Sequence, residues 1–150
     1  MQVKEAMSKD VKIASPDQSI RDAARMMAQM DCGCLPVGKN DRLVGMITDR
    51  DIAVRAVAAG KPCKTPVGKI MSAEIKYCFD DDDLDKVAHN MADIKVRRLP
   101  VLNHDKRLVG IVSLGDIALS DGGGNADDAL HGISEPGGEH SQVPAGAAVM

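Results

Sequence analysis

Aromatic residues are almost missing from this chain of 150 residues: it has one Tyr, one Phe and no Trp. A protein that grips single-stranded nucleic acid needs flat rings on which bases can stack, so the composition argues against that class. The core has to be aliphatic, with nine Met residues helping to fill it. A strong charge of one sign is missing as well. The net charge is -3, and residues 121–150 hold Asp121, Asp127, Asp128, Glu135 and Glu139 without any Lys or Arg. The remaining body is near neutral and lacks the positive field of a duplex-DNA binder. No apolar run approaches the roughly 20 residues of a membrane span. Met1-Gln2-Val3-Lys4-Glu5 lacks the basic-then-apolar pattern of a signal peptide. The expectation is a cytoplasmic protein that binds neither membrane nor nucleic acid. Cys32, Cys34, Cys63 and Cys78 are then read as reduced thiols.

What is present is a sentence written twice. Leu43-Val44-Gly45-Met46-Ile47 reads as a buried strand, Thr48 turns the chain, and Asp51-Ile52 continues as a helix to about Ala59, stopped by Gly60. Later come Leu108-Val109-Gly110-Ile111-Val112, Ser113 and Asp116-Ile117. The likeness extends outward. Val3 to Ser8 is answered by Val67 to Ser72, and Leu35-Pro36-Val37 by Leu99-Pro100-Val101, at a constant offset of 64 positions. After the hairpin the offset is 65, because the turn at Asn103-His104-Asp105-Lys106 carries one extra residue. A constant offset with one loop insertion marks a duplicated structural unit.

Each unit reads strand, helix, strand, strand, helix. Val11-Lys12-Ile13 is expected to form a brief strand. Ser19 is a natural N-cap for a helix with Ile20, Ala23, Ala24, Met27 and Met30 on one face, which Gly33 should end near its C′ position. The domains expected are repeat 1 over 1–60, a linker over 61–66, repeat 2 over 67–120, and a Gly-rich acidic tail over 121–150. The tail lacks apolar periodicity and reads as disordered, with at most a turn of helix from Ala126 to Leu130.

With Met7, the Leu35-Pro36-Val37 strand, the hairpin, and Gly45-x-x-Thr48-x-x-Asp51 in one order and repeated once, residues 1–119 resemble a tandem pair of CBS domains, a Bateman module of the stand-alone bacterial type. The resemblance implies an α/β (α+β) fold: two β-α-β-β-α repeats about a pseudo-twofold axis, sheets packed together, helices outside. It implies a homodimer and a regulatory role without catalysis. It also implies clefts between repeats that hold an adenosine-containing ligand: AMP, ADP or ATP first, NAD or S-adenosylmethionine next.

By the same resemblance, the main cleft takes Thr48, Asp51, Met71, Lys76, Tyr77, Val96, Arg97, Arg98 and Pro100. A second cleft takes Met7, Lys12, Ile13, Cys34, Pro36, Ser113 and Asp116. The cations of the first set suit a polyphosphate. Physically, a helix N-terminus favours phosphate, and a carboxylate can accept both hydrogen bonds of a ribose diol. The residues alone leave a plainer reading open, since Thr48-x-x-Asp51 and Ser113-x-x-Asp116 also fit a capping box with an acid in the Glu position. Two rival functions stand beside the sensor: an adaptor with empty clefts, and a thiol-based redox or metal sensor working through Cys32 and Cys34. The run Asp80 to Asp83 lacks the spacing of a calcium loop and reads as helix-start chemistry. His89 and His104 read as ordinary helix and hairpin residues, and no metal site is expected.

Overall fold

The computed structural model describes residues 1–121 and 124–134. The fold is mixed α and β, and the chain divides into two compact units. The first comprises Asp10–Lys76 with Lys106–Leu108. The second comprises Met1–Lys9, Tyr77–Asp105 and the chain from Val109. The units are therefore cut differently from the repeats: the segment leading into each repeat belongs to the unit built from the other. Val67 and Ile70 are buried in the core of the first unit, and Val3 in the core of the second.

In the first unit, helix α2 (Ile20–Met30) is followed by the antiparallel hairpin of β1 (Cys34–Lys39) and β2 (Arg42–Thr48). Ser19 caps α2 as expected, its Oγ accepting from the Asp22 amide at 3.1 Å. The other end of α2 differs from expectation. Asp31 adopts the left-handed conformation at φ 51°, and Gly33 instead lets Asp49 approach. A Cβ on Gly33 would lie 2.7 Å from Asp49 Oδ2, and the Gly33 carbonyl accepts from the Asp49 amide at 2.9 Å.

Beside β1, only Ala14 pairs, in parallel with Val37; Val11 to Ile13 form no strand. Pro36 explains this. The Ala14 amide donates to the Pro36 carbonyl and the Gly38 amide to the Ala14 carbonyl, both at 2.9 Å. A second step back along the ladder needs a Pro36 N–H, which does not exist. Pro100 imposes the same limit on the other copy, where pairing starts at Cys78 opposite Val101.

After β2 the helix over Asp51–Val57 is wound as a π-helix: the Ala58 amide donates to Ala53 O and Lys61 to Ala56 O, both at 2.9 Å. Gly60, at φ 74°, takes the left-handed conformation that ends it. A 3-10 turn, Val67–Lys69, completes the unit.

The second unit holds α1 (Val3–Ala6), the strands β3 (Cys78–Phe79), β4 (Arg98–Leu102) and all but the first residue of β5 (Leu108–Ser113) in one sheet of that order, α3 (Leu84–Ile94) and α4 (Leu114–Asp121). Its core repeats that of the first unit position for position: Leu84 for Ile20, Met91 for Met27, Leu99 for Leu35, Val101 for Val37. A further helix, α5 (Gly124–Ser134), corrects the expectation of a disordered tail with one helical turn. Ala129 is fully buried, and Gly132 lies so near α3 that a Cβ there would meet the Cβ and carbonyl oxygen of Ala92 at 2.8 Å. Small residues in close contact bind α5 without an apolar stripe, so periodicity gives no sign of it. The rest of the expected tail, 135–150, lies outside the described residues.

Candidate ligand-binding site

Each unit contains one strand-to-helix corner of the same build. In the first, the Thr48 amide donates to Asp51 Oδ2 at 3.0 Å and the Asp51 amide donates to Thr48 Oγ1 at 3.0 Å. In the second, the Ser113 amide donates to Asp116 Oδ2 at 2.9 Å and the Asp116 amide to Ser113 Oγ at 3.1 Å. Both are reciprocal capping boxes, as the plainer reading has it. Capping engages only part of each pair. Among the described residues, Oδ1 of Asp51 and of Asp116, and the hydroxyl hydrogens of Thr48 and Ser113, take no protein partner. Among the described residues no buried side-chain polar atom lacks a hydrogen bond, so each Oδ1 keeps some contact with solvent although Asp51 is only 7% exposed. Each corner thus holds a carboxylate acceptor, beside a hydroxyl whose hydrogen the cap does not use, for an incoming polar group.

A second segment seats beside each corner. Ser72 exchanges backbone hydrogen bonds with Met46 at 2.8 and 3.0 Å, and Ser8 does the same with Ile111. Glycine permits both approaches. A Cβ at Gly45 would lie 2.7 Å from Met71 Sδ and from the Ser72 carbonyl, and one at Gly110 would lie 2.6 Å from Met7 Sδ and 2.7 Å from the Ser8 carbonyl. The corners differ one turn into the helix. Arg55 Nη1 donates to the Met71 carbonyl at 3.3 Å. Its counterpart Ser120 returns its hydroxyl to the Asp116 carbonyl at 2.8 Å. Sequence reasoning missed Arg55, whose signal was its place four residues after Asp51.

Of the residues expected in the main cleft, Thr48, Asp51 and Met71 come together in the first unit, which also holds the half-buried Lys76. The others lie in the second unit. Tyr77 sets its ring edge-on to Phe79 at 5.6 Å. Val96 lies at the margin of the core. Arg97 and Arg98 are exposed, with the Arg97 carbonyl accepting from the Leu114 amide at 2.9 Å. Pro100 is buried in β4.

Of the second set, Met7, Ser113 and Asp116 come together in the second unit. Lys12, Ile13, Cys34 and Pro36 lie in the first. There Cys34 stands opposite Thr48 in the β1–β2 pair, Pro36 is buried, Lys12 is exposed, and Ile13 packs its Cγ2 towards Gly38. Cys32 Sγ donates to the Cys34 carbonyl at 3.5 Å, and among the described residues neither thiol belongs to a group of three potential metal ligands.

A fold written twice, with the same hydroxyl–carboxylate corner in each copy, is that of a paired module. A family model for the CBS domain matches the chain over residues 3–57 and again over 67–121, and the chain belongs to that family as a tandem pair. The CBS domain-containing protein YhcV of Bacillus subtilis is 41% identical over 133 residues, covering 88% of this chain and 94% of that protein. Two solved structures agree. The CBS pair of protein MJ0100, in complex with 5′-methylthioadenosine and S-adenosyl-L-methionine, has a TM-score of 0.73 at 32% identity over 82% of this chain and 97% of that one. CBSX2 in complex with AMP has a TM-score of 0.70 at 25% identity, covering 79% and 94%. Among the described residues no helix is long and apolar enough to cross a membrane.

Proposed function

We propose that this CBS pair senses an adenosine-containing ligand, with AMP, ADP or ATP ahead of NAD and S-adenosylmethionine, and passes the signal to a regulated protein through a homodimer. One observation carries the reading: each capping box leaves a carboxylate oxygen in contact with solvent and a hydroxyl hydrogen unused by the cap, which complement a ribose diol and the oxygen beside it. The adenosyl ligands of MJ0100 and the AMP of CBSX2 support the choice of ligand class.

The Thr48–Asp51 corner, with Met71, is the favoured site, and Lys76 and Arg55 of the same unit serve as its phosphate-binding cations. The Ser113–Asp116 corner, with Met7, takes a ligand of lower charge. A ligand that binds one arrangement better than another shifts the population by its difference in affinity, and dimer association is the natural readout.

The test is a thermal-shift panel of AMP, ADP, ATP, NAD, S-adenosylmethionine and 5′-methylthioadenosine on the full chain. A ligand at about 100 times its dissociation constant should add about 2.7 kcal/mol of stability. The double variant Arg55→Ala, Lys76→Ala should lose the response to ATP more than that to 5′-methylthioadenosine. No shift with any ligand would leave the adaptor function standing.

A further inference from the structure

The two copies share their motif positions and differ at many others, and one group of differences gathers in one place. In the second copy Tyr77, Phe79 and Asp80 stand where the first has Ile13, Ser15 and Pro16, and the one inserted residue lies in the hairpin that carries His104. The fold brings these departures together within the second unit. The chain's only Tyr and Phe lie side by side, and His104 stacks flat on Phe79 with centroids 4.9 Å apart and planes 9° from parallel. His104 Nε2 stands 2.7 Å from Asp81 Oδ2. One donor atom each from Asp80, Asp81 and His104 lies within 4.8 Å of the others.

The four consecutive acids divide by task. Asp82 Oδ2 accepts from the Phe79 amide at 2.9 Å, and Asp83 caps α3. Asp80 and Asp81 have no such role, and both face the imidazole. The loop that bears them is fixed by its backbone: Asp80 and Asp82 carbonyls accept from Lys4 and Val3, each at 2.9 Å, and the Asp80 amide donates to Leu102 at 3.0 Å.

We propose that Asp80, Asp81 and His104 form a binding site for a divalent transition metal of the zinc type. A borderline cation takes two carboxylate oxygens and an imidazole nitrogen at about 2.0–2.2 Å, with water in the remaining position. An imidazole donor disfavours calcium and magnesium, which prefer oxygen alone. Binding widens the 2.7 Å contact between Nε2 and Oδ2 as the ion replaces the shared proton, which leaves to solvent. Bound metal would tie the hairpin between β4 and β5 to the start of α3. The first copy has Pro16 at the place of Asp80 and cannot build a second such site.

Calorimetric titration of metal-free full-length protein with ZnCl2 tests this. The expected result is one equivalent bound by the wild type, at least tenfold weaker binding in His104→Ala and in Asp81→Asn, and unchanged binding in the double variant Cys32→Ser, Cys34→Ser. His104 and Asp81 are both exposed, so these variants keep the fold; the nitrogen chemical shift of the His104 ring should also move on adding zinc to the wild type. Zinc binding equal in wild type and His104→Ala, no binding by the wild type, or binding lost only with the two cysteines would overturn the proposal.

Discussion

Thr48 and Asp51 hold each other by two backbone-to-side-chain hydrogen bonds of 3.0 Å, and Asp51 is one of two polar residues buried in the described chain. The pair is both a helix cap and the candidate ligand contact, so a variant must separate the two roles. Asp51→Ala removes the acceptor for the Thr48 amide and should cost about 1–2 kcal/mol in urea unfolding. Asp51→Asn retains an oxygen acceptor and should cost less than half of that. Equal losses would mean that charge, and not the cap, holds the corner.

Gly45 and Gly110 admit Met71-Ser72 and Met7-Ser8 to their strands. Methionine Sδ can swing aside, but the Ser72 and Ser8 carbonyls, 2.7 Å from an added Cβ, belong to backbone already paired with the strand. Gly45→Ala and Gly110→Ala should each destabilise the protein by about 1–3 kcal/mol. Matched unfolding midpoints for variant and wild type would show that these segments are loosely seated.

Helix α5 rests on α3 through Gly132 and Ala92. Gly132→Val should lift it away, so that amides of α5 lose hydrogen-exchange protection while those of α2 keep theirs. Protection unchanged in α5 would contradict the close contact.

Burial, aided by the Asp82 carboxylate, pushes the Cys78 thiol from 9.0 up to about 12. The unfolded thiol ionises first as pH rises, so the folded chain binds more protons between those values. Stability is therefore full below about pH 9 and falls as pH rises towards 12. Urea midpoints at about pH 8 and about pH 10.5 should show this fall, and Cys78→Ala should flatten it. The same slope in the variant would assign it elsewhere.

The repeat, the caps and both corners were legible because they are local: a period, an N-cap residue, a hydroxyl three places before a carboxylate. Ser19 and the Thr48–Asp51 pair are of this kind. What escaped reading depends on contacts between distant residues. His104 and Asp81 are 23 positions apart, and no spacing rule joins them. Gly132 on Ala92 is a contact of small side chains that leaves no apolar stripe. The π-winding after Asp51 changes which amide meets which carbonyl without changing the residues, so the sequence of an ordinary helix looks the same. The strand expected at Val11 to Ile13 failed on a detail that was in view, the missing N–H of Pro36, but only the pairing partner gives that detail its meaning.

The most direct measurement is calorimetric titration of AMP and ATP into the wild type and into Asp51→Asn. Because the cap survives that substitution, the lost carboxylate oxygen acts on the ligand alone. A hydrogen bond to a charged group contributes about 1.5–3 kcal/mol, so affinity should fall roughly tenfold or more while the unfolding midpoint moves little. Undiminished nucleotide affinity in Asp51→Asn, or no binding by the wild type, would contradict a ligand site at this corner.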